Sequence, residues 1–273
     1  YRTIGLFNVE NGDLKLLDIP GPTVNRVVGF SWSPNGKLLL DQESDSATDR
    51  WLFTVDPTDG RLQKIWHDYR ETRIYTSVAS AWHSDGERVV FLSDLGDRYG
   101  LYLLTPGQET PNLLTNKSFD VTGAPIINTP SNRIFFQSNE PSPYERHVFH
   151  ISDEGGASTR VTTLPGQHRP YPSPDGMRVA LLHNSDISPT ELYLMDTRSG
   201  LPESQITMSF NPEFISKSWV QPRYATFKSQ IDDYILHARI LEPAKLKRGR
   251  QYPVIFGPAY SNTVRNRWAG NTS

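Results

Sequence analysis

The sequence predicts an all-β fold made of about four and a half four-stranded blades of a larger, seven- or eight-bladed β-propeller, followed by the first strands of a second domain. Two repeated features and one break in the repeat indicate this fold. A turn motif and an aromatic marker recur at matching intervals, and the rhythm stops after about residue 207. The interval is close to the length of one propeller blade and exceeds that of a helical repeat of about 34 residues.

The turn motif combines Ser, Asn or Asp, and Gly. It occurs as Trp-Ser-Pro-Asn-Gly-Lys at 32–37, Trp-His-Ser-Asp-Gly-Glu at 82–87 and Pro-Ser-Pro-Asp-Gly-Met at 172–177, with a weaker copy at 129–133. Pro fixes the first turn torsion, Asn or Asp tolerates a left-handed backbone and Gly supplies positive φ, so each copy predicts a tight reversal that leads into a strand. Apolar runs of strand length follow at 38–40, 89–92, 134–136 and 179–182.

The second marker is an aromatic residue between aliphatic residues, followed by a turn that contains glycine. It occurs at Phe7, Phe53, Tyr102, Phe149 and Tyr193, with intervals of 46, 49, 47 and 44 residues. Evenly spaced strands of a β-sandwich are the alternative, but two independent markers keep the same period. The predicted units are half a blade at 4–21 and full blades at 27–70, 75–120, 121–167 and 168–207.

Composition excludes several classes of function. The 28 basic and 30 acidic residues give a net charge of −2, and no basic block is present, so a nucleic-acid partner is not expected. No apolar run approaches the roughly 20 residues of a membrane-spanning helix. The absence of cysteine excludes thiolate catalysis, Cys-ligated zinc and disulfides, and leaves the compartment open.

The period is lost after residue 207, where a different domain is expected. Alternating residues predict strands near 224–227 and 234–241, a basic loop covers 242–250, and an apolar run at 252–256 leads to a Gly-Pro turn. We therefore divide the chain into a partial propeller at 1–207 and, at 208–273, a linker with the beginning of the second domain.

Ordered motifs along the chain resemble the dipeptidyl peptidase IV branch of the prolyl oligopeptidase family of serine peptidases. They are the turn at 32–36, the stretch Ser-Asp-Leu-Gly-Asp-Arg-Tyr-Gly-Leu-Tyr at 93–102, and Phe-Gln-Ser-Asn-Glu at 136–140 leading to Glu-Arg-His-Val-Phe at 145–149. The run Tyr-Pro-Val-Ile at 252–255, followed by Trp268, is similar to the start of that family's α/β-hydrolase domain.

The resemblance implies that the propeller restricts which peptides reach a catalytic serine, and that no metal or organic cofactor is needed. A glutamate pair that binds the substrate amino terminus in the family is expected upstream, since this sequence has no Glu-Glu pair. The implied function is the substrate-gating region of an exopeptidase that cleaves short peptides after Pro or Ala. The implied partners are a peptide substrate, the missing blades and the hydrolase domain, and the family also allows a homodimer and slightly favours a periplasmic or extracellular location.

The chain is expected to be inactive alone, because it cannot hold a complete Ser-Asp-His triad. A hydrolase nucleophile needs a Gly-x-Ser-x-Gly elbow. The nearest match, at 29–33, lacks the closing glycine and lies inside a propeller repeat, and all seven histidines precede residue 238. The resemblance leaves one candidate catalytic residue, Tyr260, as a hydroxyl donor to an oxyanion, and the alternative is a half-buried aromatic with an ordinary partner.

No metal site is expected. His147 and His150 are three residues apart on a predicted strand and so face opposite sides, while Asp232 and Asp233 fit a solvated strand end or turn. Arg146 either projects towards the substrate cavity, as the family implies, or forms a surface ion pair with its neighbour Glu145.

The alternative function comes from another class, a non-catalytic propeller scaffold that binds a protein partner. The segment from Tyr252 onwards separates the two hypotheses, because a pure scaffold has no need of a hydrolase-type strand.

Overall fold

The computed structural model describes residues 4–20, 25–74, 79–96, 98–198, 203–256 and 264–268. Four four-stranded antiparallel sheets follow one another, and in each the strands pair in chain order. The predicted all-β propeller fold is confirmed. The strands of the first two sheets are β3 (Asn25–Trp32), β4 (Leu38–Ser44), β5 (Asp49–Val55), β6 (Leu62–Tyr69), β7 (Ser80–Trp82), β8 (Val89–Ser93), β9 (Gly100–Leu104) and β10 (Asn112–Leu113).

The third and fourth sheets have the same meander order. Their strands are β11 (Ile126–Asn128), β12 (Arg133–Ser138), β13 (His147–Ser152), β14 (Thr159–Arg160), β15 (Gln167–Pro172), β16 (Arg178–Ser185), β17 (Ser188–Asp196) and β18 (Ser204–Gln205).

Two shorter pairs lie at either end of the chain. The first is β1 (Gly5–Phe7) with β2 (Leu14–Leu16), and the last is β19 (Arg223–Lys228) with β20 (Ile235–Ile240). The aromatic marker lies on the third strand of every full sheet and on β1, so β1 and β2 correspond to the outer half of a blade, as predicted. The helix α1 (Pro212–Ser216) has five residues, and no helix in the described ranges is long and apolar enough to cross a membrane.

The repeated turns take the backbone conformation that their sequences predict. Gly36, Gly86 and Gly176 have φ values of 78°, 72° and 65°, a region in which a Cβ atom would be strained. The weaker copy has no glycine, and Asn132 takes the left-handed conformation there with φ 50°. Asparagine tolerates this region better than other side chains, so this turn keeps its geometry without the glycine.

The central strands bury both faces, which explains why they are apolar at every position rather than at alternate ones. On β8, Val89 and Phe91 pack with residues of β4 and β5 in the preceding sheet, including Leu39. The alternate residues Val90 and Leu92 pack with β12 and β13 of the following sheet.

The described chain forms two compact units. Unit 1 comprises Tyr1–Ser138, Phe149–Thr159 and Pro174–Gly176, and unit 2 comprises Asn139–Val148, Arg160–Ser173 and Met177–Ser273. Unit 1 holds the apolar clusters between the first sheets. Unit 2 holds the fourth sheet, α1 and the pair β19–β20.

A buried ion pair joins the first two full blades. Arg50 on β5 forms two hydrogen bonds with the carboxylate of Asp41 on β4, at 3.0 and 2.7 Å, and both side chains are at most 2% exposed. The same guanidinium donates to the carbonyls of Leu92 at 2.6 Å and Ala79 at 3.3 Å and lies over the ring of Phe91. One side chain therefore bonds to carbonyls of the next blade while it neutralises a buried carboxylate.

We expect Arg50→Met to lower the free energy of unfolding by about 3–5 kcal/mol, because it leaves the Asp41 carboxylate buried without its counter-charge. Chemical denaturation measures the loss. The matched control is Arg26→Met, whose partner Glu43 is buried but whose own side chain is 54% exposed, and it should cost about 1 kcal/mol or less. Equal losses in the two variants would contradict this account of the blade junction.

Candidate functional site

Tyr260, the predicted oxyanion donor, lies outside the described residues, which stop at 256 and resume at 264. The short segment 264–268 therefore gives the structural information nearest to it on the C-terminal side. This segment contacts loops of the blades within unit 2, and its contacts define the candidate site.

Asn266 holds the segment through its backbone and its side chain. Its N–H donates to the carbonyl of Tyr144 at 2.8 Å, and its carbonyl accepts from the side-chain amide of Gln167 at 3.0 Å. Its side-chain oxygen accepts from the backbone N–H of Asp186 at 2.8 Å, and its side chain also bonds to Glu145. Because both its backbone and its side chain are bonded, Asn266 fixes the position and the orientation of the segment.

The blade residues that receive Asn266 come from equivalent connections. Tyr144 and Glu145 lie between the second and third strands of the third sheet, and Asp186 lies between the second and third strands of the fourth sheet. We call the set formed by Tyr144, Glu145, Gln167, Asn184, Asp186 and segment 264–268 the Asn266 junction.

Trp268 supplies the apolar part of the junction. Its backbone N–H donates to the side-chain oxygen of Asn184 at 3.1 Å. Its indole packs edge-on against Phe214 and Trp219, with ring centroids 5.2 and 5.0 Å away. The side chain of Asn211 accepts from the N–H of Phe214 at 2.8 Å and so caps α1, which carries this aromatic ring.

Asp186 attaches the β19–β20 pair to the same loops. Its side chain is 3% exposed, lies 2.6 Å from a guanidinium nitrogen of Arg239, and accepts a hydrogen bond from the Tyr224 hydroxyl. Tyr144 stacks on Tyr224 at 4.3 Å and hydrogen-bonds to His237. Burial and the neighbouring carboxylate raise the pKa of Tyr224, so the phenol stays protonated and donates at neutral pH.

A cavity of about 280 Å³ opens beside Asp186 and Asn266. Six of its ten lining residues have polar side chains, and four are less polar. Its lining residues are Leu164, Pro165, His183, Ser185, Asp186, Ile187, Ser188, Tyr193, Gln221 and Asn266.

Three buried histidines form a column within unit 2. His147, His168 and His183 are 0%, 1% and 5% exposed, and the centroids of successive rings are 5.2 and 4.6 Å apart. His147 bonds to Glu145 at 2.8 Å, and His168 bonds to the carbonyl of Arg146 at 2.9 Å. We call these three residues the histidine column.

Burial is the main cause of the low basicity of His168 and His183. It lowers the pKa of His168 to about 3, with a further contribution from His183, and it also lowers the pKa of His183. Burial raises the pKa of Glu145, but the hydrogen bonds from His147 and Asn266 and the nearby positive charges together outweigh this, and the net pKa is lowered. His168 and His183 are therefore neutral at neutral pH, while the Glu145 carboxylate is ionised.

A second polar cluster lies in unit 1 and has a different character. Ligand atoms of His83, Asp153 and Glu154 lie within 4.8 Å of one another, an arrangement that could hold a metal ion. However, the guanidinium of Arg88 bonds to Glu154 at 2.8 Å and supplies positive charge there. Ser84 donates its hydroxyl proton to Asp153, so the serine, histidine and acid are not in the order that a catalytic triad requires.

Two further pairs of residues were considered as metal ligands from the sequence. His147 and His150 have different neighbours, and the ring of His150 packs edge-on against Phe135 at 5.7 Å. Asp232 and Asp233 lie in the exposed turn between β19 and β20, as expected.

Of the two alternatives for Arg146, the surface ion pair with Glu145 is wrong. The side chain of Arg146 is 8% exposed and donates to the carbonyls of Pro143 and Glu145, at 3.1 and 2.6 Å. It therefore shapes the loop that carries it, and the carboxylate of Glu145 pairs with His147 instead.

Comparison with known families decides the relationship. The sequence model described as the dipeptidyl peptidase IV (DPP IV) N-terminal region matches residues 3–190. The chain belongs to the DPP IV N-terminal region family. The resemblance stated from the motifs is thereby confirmed.

Individual relatives of this DPP IV-type chain have low sequence identity to it but align over nearly its whole length. A protein named "Probable dipeptidyl-aminopeptidase B" from Talaromyces marneffei is 22% identical over 98% of this chain, and its namesake from Emericella nidulans is 23% identical over 98%. In each case the match covers 32% of the relative. The chain thus spans about a third of the length of these curated relatives.

A solved structure shows the same fold. The crystal structure of Porphyromonas gingivalis dipeptidyl peptidase 4 superposes with a TM-score of 0.81 at 19% sequence identity, covering 98% of this chain and 38% of that one. The match extends beyond the repeats, so it includes most of the region after residue 207.

Sequence reasoning on the DPP IV-type chain missed the junction and the column. Asn266 stands in Arg-Asn-Arg-Trp, where only Trp268 had been noted, and His168 and His183 carry no spacing that relates them to His147. The signal that could have indicated the column was a polar residue inside an otherwise apolar strand pattern.

We expect Asp186→Ala to destabilise unit 2 by about 1–3 kcal/mol, because it removes the counter-charge of Arg239 and the acceptor of Tyr224. Denaturation followed by tryptophan fluorescence measures the loss. Glu242→Ala is the control, since Glu242 pairs with Arg223 at the surface, where the side chains are 43% and 58% exposed, and should cost about 0.5 kcal/mol. A loss no larger than that of the control would show that Asp186 does not hold the junction.

Proposed function

We propose that this chain is the substrate-gating propeller region, with the start of the α/β-hydrolase domain at 208–273, of a DPP IV-like serine exopeptidase that cleaves short peptides after Pro or Ala. The observation that carries the proposal is the Asn266 junction. A segment outside the blade repeat is bonded to the connecting loops of two successive blades, which is what a domain seated on a propeller face requires.

The bonding pattern supports a fixed seat for the second domain. Asn266 uses its backbone and its side chain, Trp268 adds an aromatic cluster, and Asp186 adds an ion pair to Arg239 on β20. These contacts hold the two predicted hydrolase segments, β19–β20 and 264–268, to the same loops. A scaffold without chemistry would have no use for this arrangement.

The outer half-blade supports a partner for the other end of the chain. β1 pairs only with β2 among the described strands. A groove of about 730 Å³ runs between this pair and the first full blade. Exposed apolar side chains line it, namely Phe7, Leu14, Phe30 and Trp32. We assign this face to two inner strands from a preceding part of the same protein, which would complete the blade.

The chemistry is assigned to residues outside this chain. The serine nucleophile, the acid and the histidine would come from the part of the protein that follows residue 273, and Tyr260 would donate its hydroxyl to the oxyanion of the tetrahedral intermediate. One such donor contributes about 2.7–4 kcal/mol to transition-state stabilisation. Acyl transfer of this kind proceeds through a serine ester and takes no metal or organic cofactor.

We expect the full-length protein to release a fluorophore from Ala-Pro and Ala-Ala dipeptide conjugates, and the 273-residue chain alone to release none. An acetylated Ala-Pro conjugate is the matched control, because an exopeptidase of this type needs a free amino terminus. Initial rates of fluorescence increase are the measurement.

Three outcomes would count against the proposal. Turnover by the chain alone would contradict the absence of a triad in it, and cleavage of the acetylated conjugate would contradict exopeptidase action. A folded full-length protein that cleaves none of the conjugates would favour the scaffold function.

A further inference from the structure

The histidine column and the Asn266 junction share neighbouring residues: Glu145 bonds to both His147 and Asn266, and His183 lines the cavity beside Asn266. Each member of the column is within two residues of a group that holds segment 264–268. His147 follows Glu145, which bonds to the Asn266 side chain, and His168 follows Gln167, which bonds to the Asn266 carbonyl. On β16, His183 precedes Asn184, which bonds to Trp268.

The surroundings of His168 and His183 disfavour added positive charge on balance. His168 has a histidine ring on either side, at 5.2 and 4.6 Å. Its nearest carboxylate, Glu203, is 3.7 Å away and already accepts two bonds from Thr163, each at 2.7 Å. The titratable and charged groups that face the column from the packed elements are Glu145, Arg160, Tyr193 and Glu203, with Glu191 beyond Tyr193.

Hydrogen bonds also fix the rings in their places. His183 bonds through Nε2 to the carbonyl of Pro165 at 3.1 Å, and its Nδ1 is buried without a partner. His147 bonds to Thr162 at 3.0 Å as well as to Glu145. Successive rings are tilted by 32° and 37° to each other. The described residues give no group of three ligand atoms at this place, so the column is not built to hold an ion.

We propose that the histidine column is an acid-sensitive latch: protonation of His168 and His183 releases segment 264–268 from the blade loops while the sheets of unit 1 stay folded. The release follows from the contacts in this chain, and only its consequence, the opening of a hydrolase domain on its propeller, rests on the proposed function.

The direction of the pH effect follows from linkage. The closed junction keeps His168 and His183 neutral, with the pKa of His168 at about 3, whereas a solvent-exposed histidine titrates near 6.5. The open form therefore binds more protons below about pH 6.5, and the closed form loses stability as the pH falls. For a histidine with a pKa near 3 when closed, the opening constant rises about 30-fold between pH 7.5 and pH 5.

Hydrogen exchange on the full-length protein tests the latch. The reporters are the backbone amides of Asp186, Asn266 and Trp268, whose hydrogen bonds close the junction. The internal controls are the amides of Leu92 and Leu114 in unit 1. After correction for intrinsic exchange rates, the reporters should lose protection at least 30-fold from pH 7.5 to pH 5, and the controls should change less than 3-fold.

Substitution identifies the groups that titrate. His168→Gln and His183→Gln should each make the loss of protection between pH 7.5 and pH 5 smaller, by a factor of up to about 30. In the double variant the protection of the reporters should not change with pH. His67→Gln changes an exposed histidine on β6 that pairs with Asp49 and should leave the wild-type profile unchanged.

The proposal is overturned if wild-type protection is independent of pH, if reporters and controls lose protection together, or if the glutamine variants keep the wild-type profile. If the variants do not fold, the wild-type profile decides: a loss of protection below about 30-fold between pH 7.5 and pH 5, the change that one histidine gives, contradicts the latch. Peptide hydrolysis is not a readout here, so failure of the peptidase assay and failure of the latch are distinguishable.

Discussion

The central strands of the blades carry apolar side chains on both faces, so each blade has two surfaces that must be covered. On β8 alone, alternate residues belong to the clusters on opposite sides, Val89 and Phe91 on one and Val90 and Leu92 on the other. Apolar burial contributes about 25 cal/mol per Å², and a single four-stranded sheet can bury only what its neighbours cover. A blade that lies between two others is covered on both faces, so the regular succession of blades meets this requirement.

The same constraint explains the ends of the described chain. The β1–β2 pair and the first full blade leave Phe7 and Trp32 exposed, and Ile255 and Phe256 are exposed after β20. A chain that spans about a third of its relatives has apolar surfaces at the places where the proposed preceding strands and hydrolase domain would pack. The proposal thus accounts for the exposed faces and for the family relationship together.

Polar groups set the geometry where apolar packing gives way to loops. Arg50 is bonded to Asp41, Asp186 is paired with Arg239, and the Asn266 side-chain oxygen accepts from the N–H of Asp186. Removing such groups from water is costly, so their net contribution to stability is small. A half-satisfied network would be unfavourable, and this requirement favours one arrangement of loops around the junction. His168 and His183 are buried in their neutral form, so their protonation would add the larger cost of a buried charge.

The repeat, the turns and the apolar strands could be predicted from the sequence because each depends on residues close together in the chain. The turn at 129–133 was predicted although Asn132 replaces the glycine of the other copies. The surface ion pair, one of the two alternatives for Arg146, was wrong, because no local pattern indicates that its guanidinium bonds to carbonyls of its own loop.

The candidate site could not be predicted from the sequence. Asp186 and Gln167 meet Asn266 across 80 and 99 residues of sequence, and the three column histidines come from three separate strands. Backbone conformational preference acts over a few residues, so the turns and strands of the blades could be predicted from the sequence. Hydrogen-bond partners that meet only when blades stack are chosen by packing, so the junction and the column were decided by the tertiary structure alone.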